Sequence, residues 1–238
     1  VTTWKMKLLR KAFERFWNQR HRPTERAHFH TFSAEHAWVK KYALFMALKT
    51  HFQGSPWWSW EADIRAAHPK AIAQAKKEHP LEIQFHAFLQ WQFFIQWQRL
   101  REYAAHREIQ FIGNLAYYPA HDSADVWMHQ QLFSLQENGR PEYVGGVPPD
   151  YFNKNGQRWG MPTYRWRVIA GQQWEFFIER IARTLDYVST IKLDHFRGYH
   201  SYWEIPAKKK TARVGSWQTG PGTPLFIALK KKIGRLPF

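Results

Sequence analysis

The 238-residue sequence contains no cysteine. That excludes a disulfide framework and any cysteine-ligated metal centre, and it fits a reducing compartment, so a cytoplasmic location is expected. Acidic residues are scarce, 19 against 35 lysines and arginines, for a formal net charge of +16. Such a balance raises nucleic-acid binding as a hypothesis. The basic residues are spread out, however, and are densest only at 20–26, 208–210 and 230–232. No zinc-finger, RNP or basic-zipper pattern accompanies them. A solvated basic surface is the plainer reading, and nucleic acid is not expected as a partner. No apolar run approaches the length of a membrane span and the residues after Val1 lack a signal-peptide pattern, so no membrane partner is expected. Internal repeats and glycine-rich phosphate loops are also absent. His28 and His30 lack a third ligand at a workable spacing, so no metal site is expected.

Aromatic residues are abundant instead: 18% of the chain, with 14 tryptophans. Such an excess serves either a large core or platforms for flat ligands such as sugar rings and bases. Over the first hundred residues the periodicity is helical. Residues 4–17 carry a stripe of Leu8, Leu9, Ala12, Phe13 and Phe16. A basic linker containing Pro23 follows, and Ser33 is placed to cap a helix over 34–51. Gly54, Ser55 and Pro56 stop that helix before the cluster Trp57, Trp58 and Trp60. Residues 63–77 are helical with an interruption at Pro69, and 81–105 form a long aromatic helix. Aromatic stripes at this spacing more often pack a core than bind a ligand. A helical subdomain is therefore expected over 1–106.

The remainder, 107–238, mixes strands and helices. Residues 107–113 read as a strand ending on Gly113, and 122–133 as a helix capped by Asp122 or Ser123. Residues 141–164 read as a long glycine- and proline-rich loop; its Tyr151, Phe152, Trp159 and Tyr164 argue for a functional loop rather than a disordered one. A helix over 174–187 leads into a strand at 189–194. Strand, helix and strand make a βαβ unit, hence a parallel pair with a right-handed crossover. After Ala207 comes a basic loop through Gly222, then a helix over 225–232. The last residues, 234–238, read as the approach to another strand.

The organising stretch is Ser189-Thr-Ile-Lys-Leu-Asp-His-Phe-Arg-Gly198. Strand alternation puts Ile191 and Leu193 on one face and Lys192 and Asp194 on the other. The carboxyl end of a strand is where β/α barrels keep their chemistry. A carboxylate there, beside a cation that favours its ionised form, suits a carboxylate nucleophile. On local pattern alone, a cap for the following turn is the commoner role for such an aspartate.

The longer string Lys192-Leu-Asp-His-Phe-Arg-Gly-Tyr-His-Ser-Tyr-Trp-Glu-Ile-Pro-Ala207 resembles the amylomaltases, the 4-α-glucanotransferases of the α-amylase clan. The resemblance extends over nearly the whole chain. It is carried also by Tyr42-Ala-Leu-Phe-Met-Ala-Leu-Lys49 leading to Pro56-Trp-Trp58, by Gln96-Trp-Gln-Arg-Leu-Arg101, and by Asp122-Ser-Ala-Asp-Val-Trp127 with Gly146-Val-Pro-Pro-Asp-Tyr-Phe152. It implies an α/β fold, part of a (β/α)₈ TIM barrel with a helical insertion, incomplete at both ends. It implies no cofactor, α-1,4-glucan substrates such as maltodextrins and maltotriose, and a retaining mechanism. By the same resemblance Asp194 matches the nucleophile, and His195 and Arg197 match the rest of its motif. Asp150, Tyr151, Phe152 and Trp159 match the loop that covers the sugar site. Lys192 and Asn114 depart from the family pattern, which carries arginine and aspartate there; both remain candidate substrate contacts. The family's acid/base glutamate would fall beyond Phe238, so the expectation is a catalytically incomplete portion. Glu204 and Asp186 are the nearest acids, and Glu204 is expected in a structural turn. A non-catalytic glucan-binding module that keeps the aromatic loop is the alternative.

Overall fold

A computed structural model describes residues 2–18 and 23–238. The chain divides into two compact units, 1–100 and 101–238; the sequence places the division at 106/107. The basic run at 20–26 lies partly outside the described residues.

The first unit is helical: α1 Thr2–Asn18, α2 Pro23–Glu35, α3 Ala37–His51, α4 Ala62–Arg65, α5 Pro69–Glu78 and the start of α6 Pro80–Ala105. Pro23, expected in a linker, opens a helix, and the break expected before Ser33 falls at His36, between α2 and α3. Proline lacks an N–H that the first helical turn would leave unbonded anyway, so it starts α2 and α5 at no loss. The aromatic stripes face inward as expected. Phe13 and Phe16 of α1 meet Phe29 and Phe32 of α2 and Phe85, Phe88 and Trp91 of α6 in one buried cluster. At its edge Arg10 grips Glu82 with two bonds of 2.7 and 2.8 Å and lies 3.6 Å over the Phe85 ring. Burial alone would raise the Glu82 carboxyl, but the Arg10 bonds and charge, with His86, hold it below its ordinary value.

The second unit contains β1 Ile112–Leu115, α7 Ala124–Met128, β2 Tyr143–Val147, β3 Gln157–Pro162, α8 Trp166–Gly171, α9 Glu175–Leu185, β4 Thr190–Leu193, β5 Ser201–Pro206, β6 Ser216–Thr219 and α10 Gly222–Ile233. β1 and β4 pair in parallel, with Asn114 opposite Lys192 and Leu115 opposite Leu193. β1 starts later than its sequence pattern suggests. Glu108 takes a left-handed backbone (φ 59°), and Ile109 N donates to Ala104 O, so 107–109 close α6 rather than open the strand. On its other edge β4 has company too: Ile191 N donates to Pro237 O at 2.8 Å, while Asp194 N donates to Leu115 O of β1.

The main correction concerns 141–164, expected as a loop. It contains β2 and β3, which join β5 and β6 in a four-stranded antiparallel sheet of order β3-β2-β5-β6. The expectation of only two strands in this half therefore fails. β6 likewise lies within the segment expected as a basic loop. The glycines that suggested a loop are there for close packing. A Cβ on Gly145 would meet the Tyr118 ring, and one on Gly146 would strike Gln157 O of the neighbouring strand. Glu204 sits in β5 rather than in a turn, and its Oε1 accepts the Thr163 hydroxyl at 2.7 Å.

Candidate functional site

β4 presents Ile191 and Leu193 to the buried side of the β1–β4 pair, and Lys192 to solvent. Asp194 follows on the Lys192 side. Its side chain is 50% exposed, and Lys192 Nζ lies 3.5 Å from its Oδ1. Asn114, paired with Lys192 across the strands, is exposed on the same face. The contact between Lys192 and Asp194 is single and loose, unlike a two-pronged guanidinium grip.

At His195 the chain turns through a left-handed backbone (φ 47°). Its ring packs edge-on to Trp159 of β3 at 4.8 Å and against Tyr117 at 5.5 Å. A Cβ on Gly198 would fall 2.7 Å from His195 Cδ2 and 2.8 Å from Tyr117 Cζ, so glycine there lets the loop fold back onto the ring. Tyr117 Oη donates to Gly198 O at 2.6 Å. Tyr164 Oη donates to Tyr117 O and accepts from Arg180 Nη1, and Arg180 Nη2 also donates to Ala116 O. A buried guanidinium on α9 thus fixes the residues that follow β1, and through Tyr117 it fixes the turn after Asp194. Burial pushes the phenols of Tyr117 and Tyr164 well up, and that of Tyr199 to about 12, so all three stay neutral, and the first two donate the hydrogen bonds just given.

The structure therefore brings Asp194, Lys192, Asn114, His195 and Trp159 together. Arg197 points elsewhere in the same turn, its guanidinium 4.1 Å over the Trp217 ring of β6. Asp150, Tyr151 and Phe152 form the tip between β2 and β3. Asp150 Oδ1 accepts the amides of Phe152 and Asn153 at 2.9 and 2.7 Å, an Asx turn that throws both rings outward. Tyr151 is 95% and Phe152 93% exposed. Among the described residues, no hydrogen bond or ring contact ties that tip to Asp194. Tyr117, Arg180 and Trp217 carry no local sequence signal for their roles, since each acts through a residue distant in the chain. Among the described residues no group of three or more His, Asp or Glu is placed to hold a metal ion, and no helix is long and apolar enough to cross a membrane.

Burial lowers the His195 imidazole below its ordinary 6.5; Asp194 opposes the shift and Arg197 adds to it. His86 and His121 are lowered chiefly by burial as well. A depressed folded value means that protonation favours the unfolded chain. The stability these rings contribute is therefore complete above about pH 6.5 and is lost as the pH falls through their folded values. Melting temperature should drop as the pH is lowered from 7 to 5. His195→Asn, whose side chain tolerates left-handed backbone, should flatten part of that slope. An unchanged slope would show that His195 is not held neutral.

A family model described as 4-alpha-glucanotransferase matches residues 1–238. A 4-alpha-glucanotransferase from Thermus thermophilus is 43% identical over 98% of the chain and 47% of the relative. One from Aquifex aeolicus is 38% identical over 100% and 48%. The solved amylomaltase from Streptococcus agalactiae in complex with acarbose superposes with a TM-score of 0.91 at 35% identity, over 97% of this chain and 46% of its own. The chain spans about half the length of these relatives.

Proposed function

Since the chain belongs to the 4-alpha-glucanotransferase family, we propose that it carries the nucleophile side of an enzyme that moves α-1,4-glucan segments between maltodextrins. β1 and β4 are then neighbouring strands of a (β/α)₈ barrel, and Pro237 begins the next strand along. The observation that carries this reading is the position of Asp194: at the carboxyl end of a parallel strand, half exposed, with a cation at 3.5 Å and the Trp159–His195 pair beside it.

The chemistry follows from that placement. A carboxylate oxygen of Asp194 attacks the anomeric carbon of the donor glucan. The glycosidic bond breaks as a carboxylic acid, outside the residues described, gives its proton to the leaving oxygen. The glycosyl group is then held as an ester on Asp194. A hydroxyl of a second sugar loses its proton to the same acid/base group, attacks the anomeric carbon and frees Asp194, so the configuration is retained overall. Glu204 is not that acid, because its carboxylate is spent on the Thr163 hydroxyl within the sheet. Transfer outruns hydrolysis only if water is kept from the ester. The outward rings of Tyr151 and Phe152 are suited to close over the sugar, each able to stack on the apolar face of a pyranose.

Two tests follow. The complete protein, quenched in acid during turnover of maltotriose, should show a mass increase of whole glucosyl units on the peptide containing Asp194; an adduct on another peptide would overturn the assignment. In a separate experiment, Tyr151→Ala with Phe152→Ala should leave stability within about 0.5 kcal/mol of the parent, because both rings are solvated. The same double variant should raise the KM for maltodextrins on the order of tenfold, the equivalent of one lost stacking contact. Unaltered KM would remove the tip from the substrate site.

A further inference from the structure

Resting on the transferase reading, we propose that the cationic rim around the β2–β3 tip binds phosphate esters carried on the glucan, making phosphorylated α-1,4-glucans the preferred substrate class of this chain. The rim consists of two loops locked together. Ala212 N donates to Asn155 O at 2.9 Å, Arg213 Nε to Lys154 O at 3.1 Å and Arg158 Nη2 to Ala207 O at 2.9 Å. Gly156 has no room for a side chain, since a Cβ there would lie 2.9 Å from Ala212 Cβ. The segment 207–213 is thus backed onto the tip turn, and with it come Lys208, Lys209, Lys210 and Arg213 beside Lys154 and Arg158, all exposed.

These charges have little to answer them inside the protein. Among the described residues, none of the ammonium groups of Lys154, Lys208, Lys209 and Lys210 makes an ion pair or a side-chain hydrogen bond. Of the nearby acids, Asp150 is turned onto two backbone amides and Glu204 onto Thr163, and Glu142, whose carbonyl accepts Ala207 N, makes no ion pair with the rim among the described residues. A neutral glucan offers such a row of cations only uncharged hydroxyl acceptors, a weaker match than an anion, and gathering the cations carries a cost in mutual repulsion. A phosphate monoester repays that cost, because it brings close to two negative charges and three acceptor oxygens. The sugar that would bear it also has a partner on the same turn: the exposed rings of Tyr151 and Phe152 stand within three residues of Lys154. Rings for the pyranose and ammonium groups for its ester together describe a phosphorylated glucan better than either half would alone.

The test uses the complete protein and two maltodextrins of matched length, one neutral and one carrying glucose 6-phosphate esters. Binding is read by titration calorimetry and transfer by chain redistribution. At low salt the phosphorylated chain should bind about tenfold tighter, and the preference should largely vanish at about 0.5 M salt, where exposed charges are screened. The triple variant Lys208→Gln, Lys209→Gln, Lys210→Gln should lose the preference while keeping its kcat/KM for the neutral chain. Inorganic phosphate should compete only weakly; competition as strong as that of the phosphorylated glucan would mean a site for free phosphate and overturn the proposal. Tighter competition by single-stranded RNA of equal phosphate content would overturn it in favour of a nucleic-acid surface. Equal affinity for the two glucans, or a preference that survives the triple variant, would overturn it outright. Preferred binding without any transfer would instead sink the transferase reading and leave the rim standing.

Discussion

Replacing Asp194 with asparagine in the complete protein should lower glucan transfer from maltotriose by at least ~10³-fold, while maltodextrin affinity changes little. The amide fills the same space but offers no anionic oxygen to the anomeric carbon, so the glycosyl ester cannot form. Stability should hardly move. The carboxylate is half exposed and, among the described residues, its one ion pair is the 3.5 Å approach of Lys192, a type of surface pair worth about 0–1 kcal/mol. Separating these readouts matters, because the commoner role of an aspartate at a strand end is to cap the next turn, and loss of a cap costs on the order of 1 kcal/mol. A variant that melts several degrees lower and keeps most of its activity would identify Asp194 as such a cap. A variant that melts with the parent and no longer transfers identifies it as the nucleophile. The amide of Asp194 is already bonded to Leu115 O, so the backbone at this point is secured by the β1–β4 pairing rather than by the side chain.

The parts legible in the sequence were those written in local periodicity. The helix over 4–17, the aromatic helix 81–105 and the alternation leading to Asp194 all appear in place, because each depends on neighbours a few residues away; of the first stripe Phe13 and Phe16 are buried, while Leu8 and Ala12 face solvent. Of the candidates adjacent to Asp194 in sequence, Lys192 and His195 lie beside it, whereas Arg197 turns onto Trp217. What escaped was set by distant partners. The segment 141–164 looked like a loop because glycine and proline are rare in strands. Yet Gly145 and Gly146 lie in β2 because the Tyr118 ring and the backbone of β3 occupy the space a side chain would need. The start of β1 differs from its pattern for the opposite reason: 107–113 alternate like a strand, but the helix exit at Glu108 claims the first residues. Nothing near Arg180 in the sequence shows that it anchors Tyr164 and Ala116, which lie 16 and 64 residues away. The Trp159–His195 contact joins β3 to the turn after β4, two segments 36 residues apart that share no local pattern.

The second large effect concerns that hidden sheet. Gly146→Ala should destabilise the protein by about 3 kcal/mol or more, at the upper end of the usual cost of overpacking. An added methyl would collide with Gln157 O and lie 2.6 Å from Ile205 Cδ1. The first of these is backbone on β3 and the second is a fully buried side chain on β5, so neither can swing aside. β2 is central, paired on both edges, and its ladder with β3 already shifts register between Val144 and Gly146. The strain can be relieved only by parting β2 from β3. Because β3 carries Trp159 against His195, the same displacement loosens the turn after Asp194, and transfer should fall together with stability. Gly171→Ala is the matched control. It adds the same methyl at the end of α8, where nothing lies within 4 Å and φ is not positive, so it should be neutral or stabilising by up to about 1 kcal/mol. Thermal melts of the two variants, followed by circular dichroism with activity measured alongside, separate the outcomes. If Gly146→Ala melts with the parent, residues 141–164 are the loose loop that their composition suggests, and the antiparallel sheet does not hold Trp159 in place.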